Sequence, residues 1–250
     1  MRLDRSIAVL LLLLGVCAEL IGVQTPATSL SERHAASGVV LPADGSAAPE
    51  EAGATVAGPK HPDGTEVQCD LPGKLHRRNT ESRGLGNCVF TSIHHAGVYQ
   101  NVPVVQEFPK WLISKGIPGG GYPQKVADLI PRICKDRGLP EPQYLQAEGM
   151  DLDLLKAACA SGRMPGITYS VSPTGRYGGS RIAHMVNLVA AGAGKGPDGK
   201  GWWVILDNNY PGESNYEWLS EAEFRRTYAP GWCVILLNPS PAPPPRNLKR

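Results

Sequence analysis

The sequence predicts an α+β domain in which a helical first half packs against an antiparallel sheet from the second half. Apolar residues recur at helical spacing from Cys88 to about Gly162. Strand-like runs rich in β-branched and aromatic residues follow, as far as about Leu237. Helices first and strands later are typical of the α+β class, and we expect a cleft between the two halves.

Four helices are predicted before the strands. Their ranges are Cys88 to about Gln100, Val105 to Ser114, Gln124 to about Arg137, and Asp151 to about Gly162. Turn-forming glycines precede Cys88, so the first helix begins at the cysteine. Pro123 suits the first turn of the third helix, where a missing N–H costs nothing. The Asp151 carboxylate can cap the fourth helix.

Four strands and one short helix are predicted in the second half. The strands cover Ile167 to Val171, Ile182 to about Ala191, Trp202 to Leu206, and Trp232 to Leu237. Residues 220–223 (SEAE) form a capping-box pattern that opens the last helix. The glycine-rich segment 192–196 resembles a phosphate loop only superficially, because it lies between two strands and runs into Pro197. We interpret it as a hairpin turn.

The two ends of the chain are predicted to lie outside the domain. Arg2 and Arg5 precede an apolar run that ends before a small-residue cleavage pattern, which indicates a signal peptide over 1–18 and an exported protein. That run is shorter than the roughly 20 residues that span a bilayer, so we expect no stable membrane span in the mature form. Residues 19–65, rich in Ala, Pro and Gly, are predicted to be a disordered linker. The domain then covers 66–238, and 239–250 is a proline-rich tail.

The net charge and the cysteine content narrow the range of possible functions. The formal net charge is +2, without a basic stripe, so nucleic-acid binding has no support. Removing Cys17 with the signal peptide leaves an odd number of cysteines in an oxidising compartment: Cys69, Cys88, Cys134, Cys159 and Cys233. If the other four pair, Cys88 is the free thiol; in the alternative, all five are buried small hydrophobic residues.

Metal and cofactor binding are not expected. None of the cysteines lies at a Cys/His spacing typical of zinc sites. His94 and His95 are adjacent on a helix and point about 100° apart, so we assign them to packing or to the surface. The sequence leaves the oligomeric state open.

Two segments almost a hundred positions apart carry the groups of a nucleophilic site. Cys88 lies at a helix N-terminus, where unpaired N–H groups and the helix dipole stabilise a thiolate. His184 lies within a strand-like run. A thiolate and an imidazole, held on a helix end that faces a strand, form the arrangement that cysteine hydrolases need.

Four short segments, in the same order along the chain, resemble the papain-like cysteine peptidases. They are GNCVFTS at 86–92, GGYP at 120–123, AHMV at 183–186 and WVILDNNY at 203–210. They are similar to GSCWAFS, GGYP, NHAV and YILIKNSW of that family. Shorter papain-like peptidases that trim bacteriocin leaders are an equally close comparison. The resemblance implies a papain-like fold with the nucleophile at a helix N-terminus against an antiparallel sheet.

The resemblance also implies residue roles. Cys88 would attack a carbonyl carbon, and His184 would be its ion-pair partner and the acid for the leaving group. The papain register favours Asn208 as the residue that orients His184, whereas the bacteriocin-leader comparison points to Asp207. Adjacent strand residues face opposite ways, so only one of the two can do so.

Substrate binding would fall to Gly120, Gly121 and Tyr122, together with Asn87 beside the cysteine. One departure concerns the oxyanion, because Ser82 stands where the family has a glutamine donor six positions before the cysteine. Asn79 or the Cys88 backbone N–H could replace it.

We therefore expect an exported cysteine peptidase or amidase that works through a thioester acyl-enzyme on a peptide or amide substrate. A catalytically weak peptide- or partner-binding module is the alternative from another class. A transglutaminase-like acyl transferase uses the same residues with an amine as acceptor.

Overall fold

The computed structural model describes residues 60–171, 176–228 and 231–241. The predicted signal peptide, most of the predicted linker and most of the predicted tail lie outside these residues. Within the described ranges, no helix combines the length and the apolar character that crossing a bilayer requires.

The described residues form five α-helices, a six-stranded antiparallel sheet and a small two-stranded sheet, which confirms the α+β class. The helices are α1 Cys88–Tyr99, α2 Phe108–Ser114, α3 Pro123–Arg137, α4 Leu152–Ala160 and α5 Glu221–Tyr228. The strands are β1 Glu81–Ser82, β2 Leu85–Gly86, β3 Tyr144–Glu148, β4 Gly166–Val171, β5 Arg181–Ala193, β6 Trp202–Leu206, β7 Glu217–Leu219 and β8 Trp232–Leu236.

Strand β5 is central in the large sheet, whose order is β3-β8-β4-β5-β6-β7. Helix α1 packs against β5, β4 and β8, while α4 packs against β5 and α5 packs against β4 and β6. Residues 184–191 of β5 are all buried, although strand side chains alternate between faces. The sheet is therefore covered on both faces around the middle of β5.

Local chemistry explains where several helices begin and end. The Asp151 carboxylate accepts a hydrogen bond from the backbone N–H of Leu154 at 2.9 Å, as an N-cap does. The Ser220 hydroxyl accepts from the N–H of Glu223 at 3.1 Å at the start of α5. Pro123 is the first residue of α3, and Gly138 ends that helix with a φ of 62°, in the left-handed region that glycine favours.

The predicted helices and the four predicted strands are confirmed, with boundary shifts of at most three residues. The turn at 192–196 joins the antiparallel strands β5 and β6, as expected for a hairpin. The predictions missed β1, β2, β3 and β7. Strands β1 and β2 have only two residues each, and β7 has only three, so none of these three strands carries a full period-2 pattern.

The packed domain extends slightly past both predicted boundaries. Asp63 lies in the predicted linker, yet its carboxylate accepts a hydrogen bond from the Trp202 indole at 2.7 Å. Ser240 lies in the predicted tail, and its hydroxyl donates to the Tyr99 carbonyl at 3.0 Å. These polar contacts carry no hydrophobic periodicity, so the sequence pattern did not indicate them.

Of the two interpretations of the cysteines, the one in which four of them pair in disulfides is not found among the described residues. All five cysteines in the described part of the chain are free and buried: Cys69, Cys88, Cys134, Cys159 and Cys233. The alternative, that they pack as small hydrophobic residues, describes the four other than Cys88. Cys17 lies outside the described residues.

Candidate functional site

The candidate nucleophile is the first residue of α1. Asn87 is the N-cap, and its carbonyl accepts the first helical bond, from the Thr91 N–H, at 2.8 Å. The first N–H groups of a helix have no intrahelical acceptor, so the Cys88 sulfur lies beside unpaired donors at the positive end of the helix. Cys88 is 8% exposed, so little of the residue is open to solvent.

A buried polar network fastens α1 to β5 and so fixes the distance between the cysteine and the histidine. The Asn208 amide donates to the Met185 carbonyl at 2.9 Å, to the Ser92 hydroxyl at 3.1 Å and to the Cys88 carbonyl at 3.2 Å. The Ser92 hydroxyl in turn donates to the Met185 carbonyl at 3.2 Å. These contacts tie the first turn of the helix to the strand residue that follows His184.

A second pair of contacts extends this network along the same helix face. The Asn187 amide donates to the Ser92 carbonyl at 2.9 Å, and its oxygen lies 3.0 Å from Nδ1 of His95. Nε2 of His95 accepts the Arg77 N–H at 2.7 Å. His95 is fully buried, and burial lowers its pKa to about 3, so the ring is neutral. His95 is thus a packing residue, as predicted.

The thiol of Cys88 and the ring of His184 lie close enough for each to shift the pKa of the other. Burial opposes ionisation of the thiol, but the hydrogen bond and charge of His184 outweigh it, and the pKa of Cys88 lies below its usual value. Burial also opposes protonation of the ring, yet its hydrogen bonds to Asp207 and Cys88 raise the pKa of His184 to about 9. Both shifts favour a thiolate–imidazolium pair at neutral pH.

Asp207 holds the other side of the imidazole. Nε2 of His184 donates to Oδ1 of Asp207 at 2.8 Å, and the carboxylate is completely buried. Burial would raise the pKa of Asp207, but the hydrogen bond and charge of His184 hold it below the usual value. The carboxylate therefore stays ionised and fixes the tautomer and orientation of the ring.

The preference for Asn208 over Asp207 as the orienting residue is wrong in this structure. Strand β6 ends at Leu206, and the two following side chains point in different directions. Asp207 turns toward His184, whereas Asn208 turns toward the junction of α1 and β5 and donates its amide bonds to both elements. Asn208 thus holds the backbone on which the two reactive groups lie.

The segment 119–122 lies along β2, next to the N-terminus of α1. The N–H of Gly120 donates to the Gly86 carbonyl at 2.8 Å, and a side chain at Gly121 would overlap Val89, its added Cβ lying 2.5 Å from the Cβ of that residue. This close approach requires glycine at 121. Tyr122 is 58% exposed at the end of the segment. The structure thus brings Gly120 and Gly121 against the residues on either side of Cys88.

Lys125 shapes this segment, and sequence reasoning missed it. Its ammonium donates to the carbonyls of Pro118, Gly119 and Gly120 at 2.7 to 2.8 Å. Three carbonyls that converge on one cation are held on the same side of the loop. Nothing in the sequence pattern distinguished Lys125 from the other lysines on helices.

Two of the polar side chains near the predicted oxyanion position, Ser82 and Asn79, are committed to other contacts. The Ser82 hydroxyl donates to the Ile117 carbonyl at 2.6 Å, so it is not free to donate to a substrate. The Asn79 amide donates to the side-chain oxygen of Asn209 at 3.0 Å. Asn87 is fully buried, and neither of its side-chain polar atoms has a hydrogen-bond partner among the described residues. The Cys88 backbone N–H is the donor that the helix geometry leaves available.

The described residues contain no group of three or more His, Cys, Asp or Glu side chains that could hold a metal ion. The site itself presents a thiol, an imidazole and a carboxylate. A thiolate beside an imidazolium can attack an electrophilic carbon, and the imidazolium can protonate the group that leaves.

Comparison with known proteins assigns no family to the chain. A scan against protein-family models and a search of the curated proteins each return no match.

Proposed function

We propose that this protein is an exported cysteine hydrolase, a peptidase or amidase of papain-like type, that works through a thioester acyl-enzyme. The observation that carries the proposal is that His184 interacts with both Cys88 and Asp207. The thiol and the imidazole each shift the pKa of the other, and Nε2 of the imidazole donates to the buried carboxylate at 2.8 Å. The exported location is supported by the N-terminal sequence pattern alone.

The reaction follows from the charges of the three groups. The Cys88 thiolate attacks the carbonyl carbon of an amide, and the resulting oxyanion lies near the N-terminus of α1. The His184 imidazolium gives its proton to the departing amine, which leaves a thioester on Cys88. A water molecule then loses a proton to His184 and attacks the thioester, which releases the acid and restores the thiolate–imidazolium pair. Asp207 stabilises the imidazolium whenever it forms.

Two features support the papain-like part of the proposal: the packing of helix α1 on the sheet, and the position of residues 119–121 beside the cysteine. A helix that begins at the cysteine packs on an antiparallel sheet that carries the histidine. Residues 119–121 run beside the cysteine. The N–H groups of Gly119 and Gly120 are bonded within the protein, so an extended peptide would add its backbone hydrogen bonds at Gly121. A peptide chain is therefore the substrate class that suits this surface.

A second candidate, a catalytically weak peptide-binding module, is favoured by the oxyanion position. Ser82 donates to Ile117, so the residue at the position of the family's glutamine is not free to donate to the oxyanion. Loss of one oxyanion donor costs about 10²- to 10³-fold in rate in other enzymes. Turnover rather than labelling separates the two candidates.

The experiment treats the full chain with an epoxide or iodoacetamide probe at neutral pH and locates the label by peptide mass spectrometry. We expect labelling at Cys88 in preference to Cys134 or Cys233, whose burial raises the pKa of each thiol. The label should disappear in His184→Ala and remain in His61→Ala, a histidine change outside the site. Equal labelling in both variants would refute the activated thiolate.

Turnover is then measured with a peptide library, with and without an added amine. Cleaved peptides would support the hydrolase, and amine-linked products would redirect the proposal to acyl transfer. Selective labelling without either product would favour the binding module.

A further inference from the structure

The turn before β5 has an unusual backbone, and it lies against the candidate site. Tyr177, Gly178 and Gly179 all have positive φ values, of 61°, 64° and 72°. Glycine accepts this conformation freely, whereas a tyrosine does so only where surrounding contacts hold it. The contacts that hold Tyr177 are therefore informative.

The Tyr177 hydroxyl is bonded on both sides. It donates to Oδ2 of Asp207 at 2.7 Å and accepts from the Asn209 amide at 3.0 Å. A carboxylate can only accept, and the Asn209 amide nitrogen can only donate, so the proton of the tyrosine points at Asp207. Burial and the hydrogen bond to Asp207 raise the pKa of the Tyr177 phenol, so it keeps that proton.

The two oxygens of Asp207 have separate partners. Oδ1 accepts from Nε2 of His184 and from the Asn209 backbone N–H, each at 2.8 Å. Oδ2 accepts from Tyr177 and lies 3.5 Å from a guanidinium nitrogen of Arg176. A carboxylate fixed at both oxygens cannot rotate away from the imidazole.

We propose that Tyr177 is a positioning residue of the site, which holds Oδ2 of Asp207 so that Oδ1 stays on Nε2 of His184. This inference rests on the proposed function. The ring of Tyr177 supports the same role, because it lies edge-on to the His184 ring with 6.3 Å between centroids. The hydroxyl and the ring thus contact both partners of the Asp207–His184 bond.

Other ionisable groups face Asp207 and also influence how its ionisation depends on pH. Arg176 comes from the same turn, Glu217 from β7 and Tyr169 from β4. Arg176 also pairs with Glu217 at 3.4 Å, and the Tyr169 hydroxyl donates to Glu217 at 3.0 Å. On the far side of the imidazole lies the Cys88 thiolate. Conservative changes at Tyr177 leave all these groups in place.

The test compares Tyr177→Phe with Tyr210→Phe in the full chain. Tyr210 is a partly exposed tyrosine whose ring packs on Tyr177 at 5.5 Å between centroids, so its change removes a hydroxyl beside the same turn. The readouts are the rate constant for alkylation of Cys88 by iodoacetamide across pH, and kcat and KM on a peptide substrate.

In Tyr177→Phe we expect alkylation and kcat to fall about tenfold with KM unchanged, the effect of losing one hydrogen bond to a charged group. Burial would raise the pKa of Asp207, and the donors from His184, Asn209 and Tyr177 lower it. Removal of one donor therefore raises that pKa, and the acid limb of the alkylation profile moves to higher pH. Tyr210→Phe should retain the wild-type profile.

An unchanged rate and an unchanged acid limb in Tyr177→Phe would overturn the inference while the proposed function stands. A wild-type Cys88 that reacts no faster than in His184→Ala would instead refute the proposed function. If Tyr177→Phe does not fold, the same measurements on Asn209→Ala test the inference. That change keeps the backbone bond to Asp207 and removes the amide that orients the tyrosine proton, so a smaller shift in the same direction is expected, and none would overturn the inference.

Discussion

The neighbouring residues Asp207 and Asn208 should respond to mutation in opposite ways. Asn208→Ala removes an amide that donates to the carbonyls of Cys88 and Met185 and to the Ser92 hydroxyl. A net contribution of about 0.5–1.5 kcal/mol for each bond gives a loss of about 2–4 kcal/mol in the free energy of unfolding. For a domain of this size, that loss lowers Tm by about 4–16 °C.

Asp207→Asn keeps the shape of the side chain and removes its charge. The imidazolium of His184 then loses its buried counterion, and the ring can take the wrong tautomer. Loss of the orienting carboxylate costs about 10⁴-fold in kcat in serine proteases, so we expect a fall of about 10²- to 10⁴-fold in alkylation and hydrolysis by folded protein.

Both variants are measured by denaturant unfolding and by the alkylation rate of Cys88 per folded molecule. Asn215→Ala, a change at an exposed asparagine, serves as the control and should alter stability by less than about 0.5 kcal/mol. We expect Asn208→Ala to lose stability with less than a tenfold change in rate. If Asn208→Ala abolishes alkylation in a stable protein while Asp207→Asn reacts normally, the assignment of the two residues is wrong.

Three further predictions concern pH and the glycine segment. The pKa of His184 is raised from 6.5 to about 9. Its contribution to the free energy of unfolding is therefore present below pH 6.5 and is lost as pH rises through about 9. Measuring that free energy for wild type and His184→Ala across this pH range checks the prediction. His95 is buried and neutral, with a pKa of about 3, so its contribution is lost as pH falls from 6.5 toward 3, and His95→Gln should flatten that acid slope. Lys125→Met frees the carbonyls of residues 118–120, so KM for a peptide should rise about tenfold while the rate of Cys88 alkylation by iodoacetamide is unchanged. An equal fall in peptide turnover and in alkylation would contradict a role confined to substrate binding.

Much of the fold followed from patterns that extend over several turns or alternations. Helix α1 and strand β6 have clear apolar periodicity, and their boundaries agree with the prediction to within one residue. The strands that were missed are short or lie at an edge, where fewer than three alternations identify them. The sequence left open whether the cysteines pair, because parity and compartment say nothing about which sulfurs approach each other.

The site was predictable where chemistry and position coincide. The positions of Cys88 at a helix start and of His184 in a strand can be predicted from the neighbouring sequence, and these positions suggest the candidate roles. The choice between Asp207 and Asn208 depended on how the chain turns after Leu206, and strand alternation alone does not determine that turn. Tyr177 and Lys125 act through contacts with distant segments, so only the folded arrangement indicates them.

The most direct measurement is the ultraviolet titration of thiolate absorbance at Cys88, taken as the difference between wild type and Cys88→Ser. If the sulfur and the imidazole are paired, this thiol ionises below the ordinary cysteine range, and the midpoint returns to or above that range in His184→Gln. A titration that is identical in wild type and His184→Gln would contradict the pairing on which the site depends.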